Sequence, residues 1–521
     1  MLKNKWTWVI VFIVLFFPAF FINLGKVGFI EDEGIRSLVA LEMDILDNWI
    51  TPTLNGEYYL KKPPLYNWIL GLAFKMAGMV EDWVARIPTL FFLAAFTLTI
   101  FIGYKKYLSE NEAFINAVVF MNCGRILFWD SMLALIDICF SWVIFTMFLW
   151  IFHWSRKQRY LLLFLGAYLL GATAFMLKAF PALVFLALTL LTAFFLEKRW
   201  RHFFSIWHVA GLLLFLGIVG IYLLLYNQYN PLADVVATYL EESTNRTIVK
   251  YTVLDVLKQL VIFPLEMLYH FLPWSLFIVV LLGKGVWQSM QVNPFIRYLL
   301  WVFIINIVVY WSSPQVYPRY LFMLAPLFFG LLLHLYLNVV TVRIKQFLEY
   351  LFLVLSILVW IACWSPLFLE RTQLVQNKEI KFVVLILMVS LLIFEMVKNP
   401  GYRIWAFAAF MLVLRIGFNW FILPVRAAET YGNKCRDDAV AIGKAYVDRP
   451  LFLYGQDTLR KDNVFYITAE RNKILPITTE LRSGDHLIFH PVKFPELLRF
   501  PVLDSMRTRE DKYLRYITKI P

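Results

Sequence analysis

Apolar residues run along this chain in stretches of roughly 16–24, and polar residues collect between them. The stretches lie at about 6–24, 88–103, 113–129, 131–152, 160–177, 180–196, 204–226, 264–283, 298–312, 319–340, 349–369, 381–397 and 402–423. A helix needs about 20 residues to cross the hydrocarbon layer, so the pattern predicts about thirteen membrane helices. The first stretch follows Lys3 and Lys5 and is longer than the apolar core of a signal peptide. No small-residue cleavage site comes after it, so it reads as a retained first span.

The polar stretches differ in kind. Between the first and second spans, residues 25–87 form a long loop with its own pattern. Ile35, Leu38, Val39, Ile45 and Leu46 fall at helical spacing, interrupted by Glu42, which predicts an interfacial helix. "ITPTLNGEYYLKKPPLYNWIL" then supplies a turn, two tyrosines, two lysines and a Pro-Pro that ends any preceding helix. A second external loop is predicted over 227–263. After about Val425 the pattern shortens. "RPLFLYGQD", "NVFYITAERN" and "GDHLIFHP" read as strands separated by turns. The expected fold is therefore a polytopic α-helical membrane domain over 1–425, followed by a small α/β domain outside the membrane over 426–521.

Composition agrees with this division. Of 521 residues, 61% are hydrophobic and 16% charged, against about 45–50% apolar in a soluble domain. The net charge of +13 would suit nucleic acid, but the basic residues sit in short clusters between spans. Lys3/Lys5, Lys105/Lys106, Arg156/Lys157/Arg159, Lys198/Arg199/Arg201, Lys284/Arg297, Arg343/Lys345 and Lys398/Arg403 fall on one side of the layout. The positive-inside rule makes that side the cytoplasm. The N-terminus is then cytoplasmic, and the loops 25–87 and 227–263 and the C-terminal domain face outward. Cys123, Cys139, Cys363 and Cys435 are scattered without a CxxC, which indicates neither a zinc site nor a disulfide framework.

Charge on the outward side raises the question of chemistry. "FIEDEGIRSLVALEM" presents Glu31, Asp32 and Glu33 with Arg36 one turn on, and Lys61 and Lys62 follow. As surface features these are ion pairs and lysines that reach lipid phosphates. Further ionisable residues recur at predicted external helix ends: Arg125 with Asp130, Lys178, and Arg319 beside Tyr320. Asp137 falls inside a span. Ionisable groups near spans are costly and mark sites or buried pairs. A structural network is one reading; the other is an outward-facing site in which cations hold a phosphodiester and a carboxylate does acid–base work.

In their order these elements resemble the GT-C class of lipid-carrier-dependent glycosyltransferases, which includes ArnT-type aminoarabinose transferases and protein O-mannosyltransferases. The resemblance rests on Asp32–Glu33 with Arg36, Asn48–Trp49, Pro52, and Tyr59 with Lys62–Pro63. It continues with Asp130, Lys178-Ala179-Phe180, and Arg319-Tyr320…Pro326, and covers roughly residues 1–425. It implies an inverting transfer of a sugar from a polyprenyl-phosphate donor to lipid A or another glycolipid or glycan on the periplasmic face of the bacterial inner membrane. Asp32 would be the general base and Glu33 the second choice, with Glu31 solvated. Arg36, Tyr59, Lys61, Lys62, Asp130, Lys178, Arg246, Arg319 and Tyr320 would bind the donor phosphate and substrate.

The chain also departs from the family pattern. Lys61 stands where ArnT-type sequences carry an acidic residue, and Arg36 is one residue further from the aspartate. The loop "YLEESTNRTIVKY" has Asn245 and Arg246 but no histidine. The family's ligand positions for a divalent metal are thus not retained; a divalent metal stays open as a cofactor, and none is assigned as certain. Trp49, Tyr58, Tyr59, Tyr66 and Trp68 are candidates to stack on sugars, or ordinary interface aromatics. The alternative functions are a carrier or glycolipid flippase, which would need inverted repeats that do not appear, and a protein O-glycosyltransferase.

Overall fold

The computed structural model describes residues 4–244, 252–456 and 458–521. Helix α1 (Lys5–Phe21) starts at Asn4, whose side chain accepts the Trp6 amide at 3.1 Å. The long segment between α1 and the next long helix holds α2 (Glu33–Ile45), the hairpin β1 (Thr53–Leu54) and β2 (Glu57–Tyr58), and α3 (Leu65–Ala77). Then come α4 (Asp82–Lys105), α5 (Glu110–Met121), α6 (Gly124–Phe128), α7 (Asp137–Arg156), α8 (Tyr160–Lys178), α9 (Pro181–Glu197), α10 (Trp200–Phe203) and α11 (Ile206–Asn227). The segment after α11 carries α12 (Leu232–Thr244) and the start of α13 (Val253–His270). The membrane part closes with α14 (Val286–Val292), α15 (Pro294–Trp311), α16 (Ala325–Asn338), α17 (Val342–Ala362), α18 (Lys378–Lys398), α19 (Arg403–Gly417) and α20 (Leu423–Glu429).

Among the described residues, eight helices are long and apolar enough to cross a membrane. A ninth is counted if Trp274–Leu282 and α14, bent by 107°, form one span. The helices α1, α9 and α16 are apolar but shorter. The chain is thus a polytopic membrane protein, and counting the bent pair and the three shorter helices brings the total to twelve, against an expectation of about thirteen.

Several boundaries differ from the apolar runs for local reasons. The run 113–129 breaks after Met121, where Gly124 donates its amide to the Leu272 carbonyl at 2.7 Å. A Cβ at Gly124 would stand 2.6 Å from that oxygen, so only glycine permits the approach. The run 131–152 becomes helical only at Asp137, because the Ala134 amide is donated to Glu33 at 2.8 Å instead of entering a helix. The run 264–283 is divided between the end of α13 and a 3-10 segment, and 319–340 starts its α-helix at Ala325.

The C-terminal domain comprises α21 (Tyr431–Ala445), β3 (Leu451–Tyr454), α22 (Lys461–Arg471), β4 (Ile477–Thr478), β5 (His486–Phe489), β6 (Val502–Met506) and β7 (Arg515–Lys519). Its sheet runs in the order β4-β3-β5-β7-β6, parallel about β3 and antiparallel about β7. "NVFYITAERN" is helix α22 and not the expected strand. Val464, Phe465, Tyr466, Ile467 and Thr468 are all buried, so the β-branched and aromatic residues there report burial from both sides.

That helix docks on α2 and the turn before it. Phe29 packs on Phe465 and Tyr466 at centroid distances of 4.9 and 5.7 Å, and donates its amide to the Tyr466 hydroxyl at 2.8 Å. Asp82 at the head of α4 accepts from Tyr466 and pairs with Arg436 at 3.1 Å. Gly34, in the first turn of α2, lies so close to α22 that a Cβ would sit 2.6 Å from the Asp462 nitrogen. Gly34→Ala must therefore push α2 from α22. The expected cost is about 1–3 kcal/mol, read as a lower melting temperature in detergent.

Candidate functional site

The turn before α2 is built around Arg86. Its guanidinium donates to the carbonyls of Leu24 at 2.6 Å and Val27 at 2.8 Å, and pairs with both oxygens of Glu33 at 2.8 and 3.0 Å. Glu33 also accepts the amides of Ile30 and Ala134 at 2.9 and 2.8 Å, and its side chain is fully buried. Its oxygens are already committed, so the second candidate base is a structural residue here. Glu31 adopts the left-handed conformation, φ 54°. It is exposed, as expected, and also pairs with Arg319 and accepts from the Trp129 indole at 3.2 Å. Asp32, between the two, is exposed at the N-cap of α2.

Glu42, which interrupts the apolar face of α2, organises the hairpin that follows. It accepts from Thr53 Oγ1 at 2.8 Å, the Asn55 amide at 2.6 Å and the Gly56 amide at 3.0 Å. Burial raises its pKa above the ordinary carboxylate range against these bonds and the charge of Lys461. The hairpin fixes Tyr59, whose amide bonds to Pro52 O at 2.8 Å. Buried Tyr59 lies under Arg36, 5.6 Å from guanidinium carbon to ring centroid. Its hydroxyl pKa is raised by burial; Arg36 opposes this, while Asp32 and Glu242 add to it. Lys61 and Lys62 both face Glu242 of α12, at 4.0 and 3.8 Å.

A second cluster gathers at the same end of the helices. Lys178, the last residue of α8, pairs with Asp137, the first of α7, and lies 4.3 Å from the Tyr320 ring centroid. Asp137 is thus at a helix end, where a carboxylate suits the N-terminal dipole, and not inside a span as expected. Arg319 joins it with Nε 3.3 Å from Asp137 Oδ2. Burial disfavours the Arg319 charge, but Asp137 and Glu31 hold its pKa above the ordinary value. Arg36 is within electrostatic reach of Asp137, which links the two clusters.

Of the expected residues, Asp32, Arg36, Tyr59, Lys61 and Lys62 come together, as do Lys178, Arg319 and Tyr320. Arg246 lies outside the described residues. Asp130 pairs with Arg125 at 2.6 Å behind the second cluster. Sequence reasoning missed Arg86 and Glu242 and left Asp137 and Glu31 out of the network. The signal for Asp137 and Glu31 was a cation at the facing helix end. Of the candidate stacking aromatics, Tyr66 is buried and Trp49 packs against Lys75 at 4.5 Å, while Tyr58 is exposed. Among the described residues no three His, Cys, Asp or Glu side chains converge as a metal site.

Asp130 has its pKa pushed up to about 7 by burial, with Asp137 adding and Arg125 and Arg319 opposing. Its Oδ1 is buried without a hydrogen-bond partner among the described residues, which suits a proton there. A carboxyl raised in this way stabilises the fold most below its unfolded value of about 3.9, and that contribution is lost as pH rises through about 7. Between about pH 5 and pH 8 the wild-type melting temperature should therefore fall relative to that of Asp130→Asn.

Comparison with known proteins places this geometry in a fold. Residues 61–224 match the family model described as dolichyl-phosphate-mannose-protein mannosyltransferase. An uncharacterized protein of Aquifex aeolicus is 25% identical over 155 residues, 29% of this chain and 31% of that protein. The aligned stretch thus spans about a third of the curated relative. The crystal structure of ArnT from Cupriavidus metallidurans bound to undecaprenyl phosphate superimposes with a TM-score of 0.71 at 16% identity, over 99% of this chain and 98% of that one. The apo state of the same ArnT gives 0.69 at 16%, over 98% and 97%. The chain has an ArnT-like GT-C fold.

Proposed function

We propose that this chain, with its ArnT-like GT-C fold, is an inverting glycosyltransferase that uses a polyprenyl-phosphate sugar. The observation that carries the reading is the position of Asp32. It is exposed and within electrostatic reach of Tyr59, which lies under Arg36, while its neighbours Glu31 and Glu33 are held by arginines. An acceptor hydroxyl attacks the anomeric carbon as Asp32 takes its proton. The bond from that carbon to the phosphate oxygen breaks, and its electron pair stays with the polyprenyl phosphate. Lys61 and Lys62, with Lys178 and Arg319, stabilise the charge that develops there. If the acceptor is itself a phosphate, Asp32 orients it and no base is needed.

A groove of about 310 Å³, lined by apolar residues of α13, α15 and α16, includes Leu321, two residues from Arg319. It suits an isoprenoid tail whose phosphate reaches the cations. The membrane is the bacterial inner membrane, with the site and C-terminus periplasmic and the N-terminus cytoplasmic. This orientation is supported by basic residues such as Lys105 and Arg156 at the opposite ends of α4 and α7. The acceptor is lipid A or another glycolipid or glycan. The family model over residues 61–224 also favours a second reading, a protein hydroxyl.

The test is transfer from a panel of polyprenyl-phosphate sugars to membrane glycolipids, glycans and proteins, read by mass spectrometry. Wild type should give a product that Asp32→Asn loses by about 10²-fold or more with an unchanged melting temperature. Glu33→Gln should instead lower the melting temperature, since breaking a buried pair costs about 3–5 kcal/mol. Carrier binding without any product would sink the transferase reading and point to transport.

A further inference from the structure

We infer that Glu242 is an internal stand-in for the carrier phosphate, occupying the place between Lys61 and Lys62 and exchanging with the phosphate in each turnover. The inference rests on the functional reading above. The two carboxylate oxygens of Glu242 are divided between the lysines. Oε1 lies 4.0 Å from Lys61 and Oε2 lies 3.8 Å from Lys62. A phosphate presents two oxygens to two ammonium groups in the same manner. Both separations exceed the 2.7–3.2 Å of a good hydrogen bond, so the carboxylate is held by charge and exchanges readily.

Exposure supports exchange as well. The Lys61 side chain is 65% exposed and that of Glu242 is 26%, so an incoming anion has access. Lys62 is more enclosed, and buried Tyr59 feels Asp32 and Glu242 together. Glu242 therefore belongs to the neighbourhood of the proposed base and not to a separate surface patch.

The consequence follows from charge. The donor is a phosphodiester with one negative charge. When the bond to the sugar breaks, the electron pair remains on the phosphate, and the product is a monoester carrying about −1.5 to −2 at pH 7. Two lysines alone would hold this product more tightly than the substrate and slow its departure. Glu242 competes for the same cations, and its return displaces the spent carrier.

The experiment measures undecaprenyl phosphate binding to the full chain in detergent, with and without Glu242→Gln. The variant should bind about two- to fivefold more tightly, the scale of an exposed ion pair. In the transfer assay its KM and kcat should both fall, because release of the carrier becomes slower. In a Lys61→Gln/Lys62→Gln background the same substitution should have no effect. Unchanged or weaker binding by a Glu242→Gln chain with wild-type melting would overturn the inference and leave Glu242 a residue that merely positions the lysines. Failure of wild type itself to bind undecaprenyl phosphate would overturn the functional reading, and this inference with it.

Discussion

The buried pair between Arg86 and Glu33 is the contact on which the segment between α1 and α4 depends. A lone guanidinium at such depth would be untenable, and here each face of it is used. One side binds the carboxylate and the other gathers the carbonyls of Leu24 and Val27 where the chain leaves α1. The exit from the first helix, the start of α2 and the entry to α7 through Ala134 are thereby tied to one point on α4. Asp32 and Arg36 inherit their positions from it.

Acidic residues in this segment thus divide by environment. Glu33 and Glu42 are buried and saturated by donors, and each shapes backbone: the turn before α2 and the hairpin after it. Glu31 is committed to Arg319. Asp32 is left facing outward. Four carboxylates within twelve residues are alike in chemistry, and only their partners distinguish the three that are held from the one that is left exposed.

This division shows what the sequence could and could not convey. The helical membrane domain, helix α2 and the small C-terminal domain were legible because burial writes itself as periodicity. The residues of the two clusters were legible because charge at an external helix end is conspicuous. The commitment of Glu33 was not, since Arg86 lies 53 residues away beyond two helices and a hairpin. Glu242 sits on an amphipathic helix where an acid is unremarkable until Lys61 and Lys62 are brought to it. Helix α22 was misread because its β-branched and aromatic residues are buried against both α2 and the sheet domain. Burial there resembled a strand.

The docking of α22 on α2 has a consequence for how the molecule is made. The Asn55 side chain bonds to the Leu475 carbonyl across 420 residues, and Arg509 to the Phe29 carbonyl across 480. Contacts of such separation form late, after the intervening chain has been laid down. The helix that carries Asp32 is among the first parts to emerge and among the last to be locked. Until the final hundred residues have been made, the segment lacks its contacts with Phe465 and Tyr466. Locking of the segment that carries Asp32 is thus coupled to completion of the chain.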